Sequence, residues 1–380
     1  MTQFHASIVV LCYNGLEEAT RPCLESIIAN TNSSSYELIL IDNASIDGTA
    51  EYLKHFSEQY AHVSLQLNDN NKGYAGGNND GMKLAQGEYI VLLNNDTLVS
   101  AGWLERLVAI FNEEPSVGLV GPVTNSAGNE QCISLDGLNE DNFEKIAGAY
   151  IFRQQGSWFL TEKLGFFCVA MRRKVLEEVG YLDEKFGIGM FEDDDYCVRA
   201  KQAGYTLAVV EDCFVYHKGS VSFKKMATSD YIDIFNKNRN YFYEKHQILW
   251  SYTDIAFSLW LKILDDLVLV ENDDKVAMER ILKRTNNMSN ALHQIREVER
   301  RTAVVEDKAF IEVQLAEKQK TLMEMSAWAT GLKQDNEQLL EKQRISVEIS
   351  DWAIGLKKEM DEMSSSYFYR LFRFLQRRGI

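Results

Sequence analysis

The chain is poor in proline, and its three prolines, Pro22, Pro115 and Pro122, all lie in the first third. A proline inside a helix removes a backbone hydrogen bond and clashes with the preceding turn. Since no proline follows Pro122, nothing of this kind prevents long helices in the rest of the chain.

Basic charge is also scarce. The chain has 40 Lys and Arg against 56 Asp and Glu, a net charge of −16. Proteins that bind nucleic acids broadly need a basic surface that replaces the counterions of the phosphates. We therefore expect no nucleic-acid partner.

The six cysteines include no CxxC pair, and several lie in apolar runs: Cys12, Cys23, Cys132, Cys168, Cys197 and Cys213. This distribution is typical of buried thiols in a reducing compartment. It predicts neither a disulfide framework nor a zinc framework.

Long hydrophobic runs are missing as well. The most apolar later window, residues 255–270, is interrupted by Lys262, Asp265 and Asp266. It falls short of the ~20 apolar residues that a membrane span needs. The apolar run at residues 7–12 is too short for a signal peptide and is typical of a strand. These features predict a cytoplasmic protein.

In the first ~120 residues, strand-length apolar runs alternate with helical patterns. Short connections between them predict a Rossmann-like α/β fold, with a mostly parallel sheet and helices on both faces. The expected strands are residues 7–12, 36–41, 63–67 and 89–93, and the expected helices are 16–30, 49–60 and 78–85. Residues 120–220 are less regular, with strands expected at 165–171 and 206–210 and helices at 173–179 and 193–203. Residues 221–270 are interpreted as helices that flank the core.

Polar residues follow the apolar run at 89–93: Asn94, Asn95, Asp96 and Thr97. The carboxyl ends of strands are where open α/β sheets bind ligands. Asp96 is therefore a candidate for holding a metal ion or a phosphate. The alternative is that Asp96 and Thr97 simply cap a helix.

Other strand ends carry similar groups. Tyr13 and Asn14 follow the first strand, and Asp42 with Ser45 follows the second. The glycine-rich segment 71–79 opens a helix, whose N-terminus favours an anion such as a diphosphate. Each of these segments taken alone is also compatible with an ordinary turn.

Four consecutive acids, Glu192, Asp193, Asp194 and Asp195, form a further candidate. They either begin a helix, whose dipole acids complement, or bring carboxylates into a cleft. His217 follows a strand, and it is either structural or, if it faces an acidic site, a metal ligand or diphosphate contact.

Together, these segments from residue 7 to 222 resemble the family 2 glycosyltransferases with the GT-A fold. The similarity is strongest to the rhamnosyltransferase-like branch that builds bacterial surface polysaccharides. It depends on the order and spacing of residues 7–14, 41–49, 71–79, 94–97 and 191–195.

This resemblance implies that Asp42 recognises a uracil or thymine base, with Tyr13, Asn14 and Ser45 nearby. It assigns nucleotide-sugar binding to Lys72, Gly73, Asn78, Asn79, Asn94 and Asn95. Asn94, Asn95 and Asp96 occupy the family's DXD position, where Mg²⁺ or Mn²⁺ meets the diphosphate. Asn94 replaces the first carboxylate there and brings no charge, which leaves Asp96 and His217 to hold the ion.

By the same resemblance, Asp193 is the catalytic base, and Glu192 or Asp195 is an alternative that shares the role. Phe166, Phe167 and Trp158 are expected to stack on an acceptor sugar.

After residue ~271 glycine becomes rare and charges alternate in sign, which indicates a coiled coil or an extended helix. Residues 326–333 recur at 350–357, a spacing of 24, and each copy carries a tryptophan, Trp328 or Trp352. The tryptophans serve either packing or a docking surface. Residues 366–380 place aromatic residues on one helix face and arginines on the other, as an interfacial membrane helix does. The alternative is a helix that docks on the protein's own acidic surface.

We thus predict a glycosyltransferase domain at residues 1–245 and a helical connector at 246–270. A coiled-coil region at 271–362 and a basic amphipathic helix at 363–380 follow. The predicted function is inverting, metal-dependent transfer of a sugar from dTDP-rhamnose or a UDP-sugar to a lipid-linked bacterial surface glycan. The expected place is the inner face of the cell membrane, as a homo-oligomer. The alternatives are a nucleotidyltransferase that makes sugar nucleotides and a sugar-nucleotide-binding scaffold.

Overall fold

The structure is a computed structural model that describes residues 5–219, 228–248 and five later positions, 262, 263, 281, 284 and 285. The chain divides into two units, Met1–Trp250 and Ser251–Ile380. In the second unit, the Arg284 guanidinium donates a hydrogen bond to the Lys262 carbonyl at 3.2 Å. The predicted coiled coil, its 24-residue repeat and the basic terminal helix lie outside the described residues.

In the described part of the first unit, nine strands form a mixed sheet. Eight of them follow the order β3-β2-β1-β4-β8-β6-β9-β5, and β7 pairs with β9. Their bounds are β1 Ala6–Cys12, β2 Tyr36–Asp42, β3 Val63–Leu67, β4 Tyr89–Asn94, β5 Thr97–Val99, β6 Val117–Val123, β7 Trp158–Thr161, β8 Cys168–Arg172 and β9 Thr206–His217.

Eight α-helices lie within the described residues of this unit. They are α1 Arg21–Asn30, α2 Thr49–Gln59, α3 Gly73–Leu84, α4 Trp103–Glu113, α5 Phe143–Arg153, α6 Arg173–Val179, α7 Glu192–Gln202 and α8 Thr228–His246. A π-helical turn, Leu16–Thr20, leads into α1, and a 3₁₀ turn covers Glu184–Phe186. None of the described helices combines the length and apolarity needed to cross a bilayer.

The parallel half of the sheet follows the prediction. β1 pairs in parallel with both β2 and β4, so that Cys12 lies beside Asp42 and Leu11 beside Asn94. The carboxyl ends of these three strands therefore meet at one edge. This is why segments far apart in the sequence come together there.

The expectation of a mostly parallel sheet is wrong for the other half. β8 lies antiparallel between β4 and β6, and β5 and β7 each pair antiparallel with β9. Antiparallel neighbours need no helical crossover, so the regular strand–helix alternation on which the prediction depended stops here. The strand expected at residues 206–210 is β9, which has twelve residues rather than five and ends at His217.

The core has two layers, one on each face of the sheet. Ile8 and Val10 of β1 pack with Trp103 and Leu107 of α4 on one face. Val9 packs with the other buried layer, on the side of α3 and α7. Helices thus cover both faces, as the sequence predicted.

Candidate active site

The first corner of the site is Asp42, which ends β2 and is 2% exposed. One carboxylate oxygen, Oδ2, accepts the backbone N–H of Ser45 at 3.1 Å. The other, Oδ1, is buried and has no hydrogen-bond partner among the described residues. A buried acceptor of this kind is costly to leave unpaired, and the ring N–H of a pyrimidine base would satisfy it.

Asn14 and Ser45 form hydrogen bonds that hold the loops next to Asp42 together. The backbone N–H of Asn14 donates to Ser45 Oγ at 2.9 Å, and Asn14 Oδ1 accepts the N–H of Ile46 at 2.8 Å. These bonds join the loop after β1 to the loop after β2. Tyr13, in the same loop, is 41% exposed, and its contact with a base stays a prediction.

Asn43 organises the next loop, a role that the sequence analysis missed. Its side-chain amide donates to Asn71 Oδ1 at 2.8 Å and to the Gly73 carbonyl at 3.2 Å, and its Oδ1 accepts the N–H of Lys72 at 3.1 Å. The available signal was its position directly after Asp42 at a strand end. The ammonium of Lys72 pairs with Asp80 at 2.7 Å. Lys72 and Gly73 are thus held in place, and their contact with a donor stays a prediction.

The glycines of this segment have a packing role. The helix α3 begins at Gly73, before the expected Asn78, so Gly77 and Gly81 lie inside it. A Cβ on Gly77 would meet Leu11 Cδ1 at 2.3 Å, and one on Gly81 would meet Val9 Cγ1 at 2.2 Å. At the helix N-terminus, the N–H of Gly73 donates to Asn71 and that of Tyr74 to the Ile188 carbonyl. Protein groups thus already accept two of the amides at this helix N-terminus, and binding of a diphosphate there stays a prediction.

The assignments of Asn78 and Asn79 also need correction, since both are at most 2% exposed. Asn78 donates to the Tyr74 carbonyl within α3 at 3.0 Å. Asn79 donates to the Leu182 carbonyl and to Glu184, and it accepts the N–H of Leu182. They stabilise α3 and its neighbouring segment instead of lining an open pocket.

Asn94, Asn95 and Asp96 form the turn between β4 and β5. Thr97 begins a strand, so Asp96 is not the cap of a helix. The amide of Asn95 donates to Thr20 Oγ1 at 2.9 Å, which directs it towards the start of α1. The side chain of Asn94 is half-buried at the strand end.

The second corner of the site is the pair Asp96 and His217, which the pairing of β5 with β9 brings together. Asp96 Oδ1 lies 3.3 Å from His217 Nε2, and His217 Nδ1 lies 2.8 Å from the Ser126 carbonyl oxygen. Because a carbonyl can only accept, Nδ1 carries the proton. Nε2 faces a carboxylate oxygen of Asp96, and a cation held between the two residues would have both atoms as ligands.

These two residues fit a metal ion, but only as part of a set. The described residues contain no group of three His, Cys, Asp or Glu side chains that could hold one. Hard divalent cations accept oxygen ligands from bound phosphates in addition to carboxylates. The oxygens of a diphosphate, with Asn94 nearby, would have to complete this site.

The acids at the start of α7 have divided roles. Asp195 is fully buried and pairs with Arg199 at 2.8 Å, Lys245 at 2.6 Å and His246 at 2.7 Å. Asp194 pairs with Lys163 at 3.2 Å. Two cations and His246 already engage the carboxylate of Asp195, which disfavours the alternative of Asp195 as a base.

Glu192 and Asp193 differ from their neighbours. Burial raises the pKa of Glu192 well above its usual range, and its Oε2 has no hydrogen-bond partner in the described part of the chain. Burial and the charge of Asp194 raise the pKa of Asp193 to about 7. A carboxylate with a pKa near neutrality suits general base catalysis.

Tyr74 links the Glu192–Asp193 pair to the Asp96–His217 pair. Its hydroxyl donates to the Phe166 carbonyl at 2.5 Å. Burial raises the pKa of Tyr74 well above its usual range, and the charges of Glu192, Asp193 and Asp96 add to this effect. These three acids are therefore close enough to the Tyr74 phenol to act on it electrostatically.

The aromatic residues expected to stack on an acceptor are placed differently. Phe166 is 3% exposed and packs on Tyr196, and Phe167 is 5% exposed and stacks on the His217 ring at 5.1 Å. Their prediction is wrong, because both rings are buried. Trp158 is half-buried in β7.

Comparison with known proteins shows what the segment that carries this site resembles. Residues 7–180 match the family model "Glycosyl transferase family 2". This segment is similar in sequence to the family 2 glycosyltransferases. It contains the Asp42 corner and Asp96, whereas α7 and His217 follow it in the chain. The described fold of the first unit is an α/β fold with a mixed sheet.

Individual relatives cover parts of the domain. Glycosyltransferase AglE of Haloferax volcanii is 26% identical over 213 residues, which are 56% of this chain and 66% of that protein. The poly(ribitol-phosphate) beta-glucosyltransferase of Bacillus spizizenii is 31% identical over 112 residues, 29% of this chain and 18% of that protein. This chain therefore spans less than two thirds of the length of either relative. A crystal structure of GalNAc-T7 with UDP, GalNAc and Mn²⁺ aligns with a TM-score of 0.46 at 17% identity, covering 57% of this chain and 44% of that one.

Proposed function

We propose that this protein is an inverting, metal-dependent glycosyltransferase that uses a nucleoside diphosphate sugar. The observation that carries the proposal is the convergence of Asp96, Glu192 and Asp193 on Tyr74, next to the strand ends that carry Asp42. This arrangement combines an acceptor for the base, a pair of residues that could bind a cation and a carboxylate of raised pKa.

Donor binding begins at Asp42. Its unpaired Oδ1 accepts the ring N–H of uracil or thymine, and the exposed Tyr13 lies at the rim beside it. We propose dTDP-rhamnose as the first donor to test and UDP-sugars as the second. A pyrimidine base is common to both, so the Asp42 contact does not distinguish them.

The diphosphate lies at the Asp96–His217 pair. These residues, with Asn94 at the adjoining strand end, would hold Mg²⁺ or Mn²⁺ against the diphosphate oxygens. The ion would neutralise the leaving group, so that no protein acid is needed on that side. Ser126 fixes the tautomer of His217 and keeps its Nε2 directed at Asp96.

The acceptor hydroxyl is activated by Asp193. Its carboxylate removes the hydroxyl proton as the oxygen attacks the anomeric carbon from the face opposite the diphosphate. The bond to the diphosphate oxygen breaks, the new glycosidic bond forms, and the configuration inverts. Burial raises the pKa of Glu192, next to Asp193, well above its usual range, which favours its protonated form and so limits repulsion between the two groups.

The acceptor that we propose is a growing bacterial surface glycan, held on a lipid. The name of the Bacillus spizizenii relative supports a surface polymer as acceptor. We further propose that residues 271–362 form an oligomer and that residues 363–380 touch the membrane, since their sequence patterns favour these roles.

The experiment that tests the function is a panel of nucleotide sugars, each assayed with and without Mg²⁺ or Mn²⁺. Release of a nucleoside diphosphate that depends on an acceptor supports glycosyl transfer. Release of pyrophosphate would instead identify a nucleotidyltransferase. Binding of a nucleotide sugar without turnover of any panel member would favour the scaffold.

A further inference from the structure

A strained turn precedes the acid pair of α7. Met190 has a φ of 77° and Phe191 a φ of 74°, so two consecutive residues other than glycine adopt the left-handed conformation. Such residues are uncommon and are stable only where the surroundings hold them. Glu192 and Asp193 follow immediately, which means that the direction of their side chains depends on this turn.

One side chain holds the backbone of the turn from a distant helix. Asn238 of α8 is 2% exposed, and its Nδ2 donates to the carbonyls of Phe186 and Gly189 at 2.8 Å and of Met190 at 3.1 Å. Two N–H groups thus serve three carbonyls, so at least one hydrogen is shared. The contacts span 48 to 52 positions in the sequence.

The other side of the turn rests on α3. The Ile188 carbonyl accepts the N–H of Tyr74 at 3.0 Å, and Gly73 allows the Gly187 backbone to approach closely. The turn is therefore held between α3, which carries Tyr74, and α8, which carries Asn238. Phe242 of α8 adds an aromatic contact with Phe191, with ring centroids 5.8 Å apart.

We propose that Asn238 is a positioning residue that holds the Met190–Phe191 turn and so aims the Asp193 carboxylate at the acceptor. This inference rests on the proposed function, in which Asp193 is the base. It assigns a role in that function to α8, which lies after the residues that match the family model.

The test compares Asn238→Ala with Asn240→Ala in the full chain. Asn240 is an exposed residue of the same type on the same helix, two positions away. Small misplacements of a reacting group lower rates by about 100-fold. We expect N238A to lower kcat by about 10- to 100-fold with the donor KM within about twofold of wild type, and N240A to leave both unchanged.

A double mutant separates positioning from general stability. If Asn238 acts through Asp193, N238A added to D193N lowers the residual rate no further. An equal additional loss in the D193N background would overturn the proposal. Should N238A fail to fold, Asn238→Ser retains one donor, and a smaller loss of kcat is then expected.

Hydrogen exchange provides a readout that needs no turnover. We expect the amides of residues 187–195 to exchange at least about tenfold faster in N238A and unchanged in N240A, because the turn opens more often. Unchanged exchange in N238A would show that Asn238 does not hold the turn. Faster exchange in a protein without glycosyl transfer would retain the structural role of Asn238 and reject the proposed function instead.

Discussion

At the scale of single residues, the surroundings of each acid decide its chemistry. Asp193 and Asp195 are two positions apart on α7, yet Asp195 is paired with Arg199, Lys245 and His246 while Asp193 has a pKa raised to about 7. A carboxylate paired with two cations and a histidine is a poor proton acceptor. A carboxylate whose pKa is raised by burial accepts a proton readily near neutral pH.

Replacing Asp193 by Asn removes the proton acceptor and retains the size of the side chain. We expect kcat to fall by about 100- to 10,000-fold, as for other general bases, with the melting temperature unchanged or higher. Release of nucleoside diphosphate, with circular dichroism as the folding control, measures this. Full activity in this variant would show that another group is the base.

Lys163 sets the pH at which Asp193 works. Its positive charge lowers the pKa of Asp193, opposing the effect of burial. In Lys163→Met the pKa of Asp193 should therefore rise, so that the acidic limb of kcat/KM moves to higher pH. The matched control is Lys174→Met, since Lys174 is exposed and pairs only at the surface with Glu178. If the acidic limb of the kcat/KM profile stays at the same pH in K163M, Asp193 is not the base whose titration produces that limb.

His217 is expected to affect metal use above all. Replacing His217 by Ala removes the Nε2 that faces Asp96, and the Mg²⁺ or Mn²⁺ concentration for half-maximal activity should rise by about 10- to 100-fold. The control is His55→Ala, because His55 is exposed on α2. If the wild-type protein remains active in the presence of a chelator, the proposed metal dependence is wrong.

At the scale of elements, the contact of α3 with β1 positions both the nucleotide corner and Tyr74. Gly77 and Gly81 face Leu11 and Val9 without room for a Cβ. Alanine is the better helix former by about 1 kcal/mol, so helix propensity alone would favour it at these positions. Here the tertiary contact decides in favour of glycine.

The variant Gly81→Ala tests this contact. We expect it to lower the free energy of unfolding by about 1–3 kcal/mol, as overpacking of a core does. Gly148→Ala in α5 is the matched control, because a Cβ there meets no described atom within 4 Å. Its expected effect is a gain of about 0.4–1 kcal/mol, and urea titration of both variants gives the comparison. A neutral G81A would mean that α3 moves without cost.

At the scale of the whole molecule, the catalytic domain and the C-terminal region have separable tasks in our proposal. All the candidate site residues lie in Met1–Trp250, the first of the two units. Net charge is −16 for the full chain, whereas residues 366–380 carry arginines and no acid. Because the rest of the chain is acidic, electrostatic attraction to an anionic membrane would come from this basic segment alone.

A chain ending at residue 270 tests this division. We expect it to lose oligomerisation and sedimentation with anionic liposomes, while its turnover of a soluble acceptor analogue stays within about threefold of the full chain. Analytical ultracentrifugation and liposome sedimentation measure the two losses. A shortened chain that remains oligomeric and still sediments with liposomes would refute the assignment of both tasks to the tail.

The sequence by itself determined the parallel half of the sheet and the strand-end residues Asp42, Asn94 and Asp96. These are local properties, because an apolar run that stops at a polar residue marks both a strand and its end. The resemblance of the motifs further assigned Asp96 and His217 to one corner, and β5 and β9 bring them together at 3.3 Å.

Only the tertiary structure decided which groups are free to react. Asp195 is paired by residues about 50 positions away, the His217 tautomer is set by the Ser126 carbonyl, and Asn79 is engaged by Leu182. Helical spacing placed four acids together but did not show their partners. The pKa of a carboxylate depends on burial and on neighbouring charges, and both come from segments that are distant in the chain.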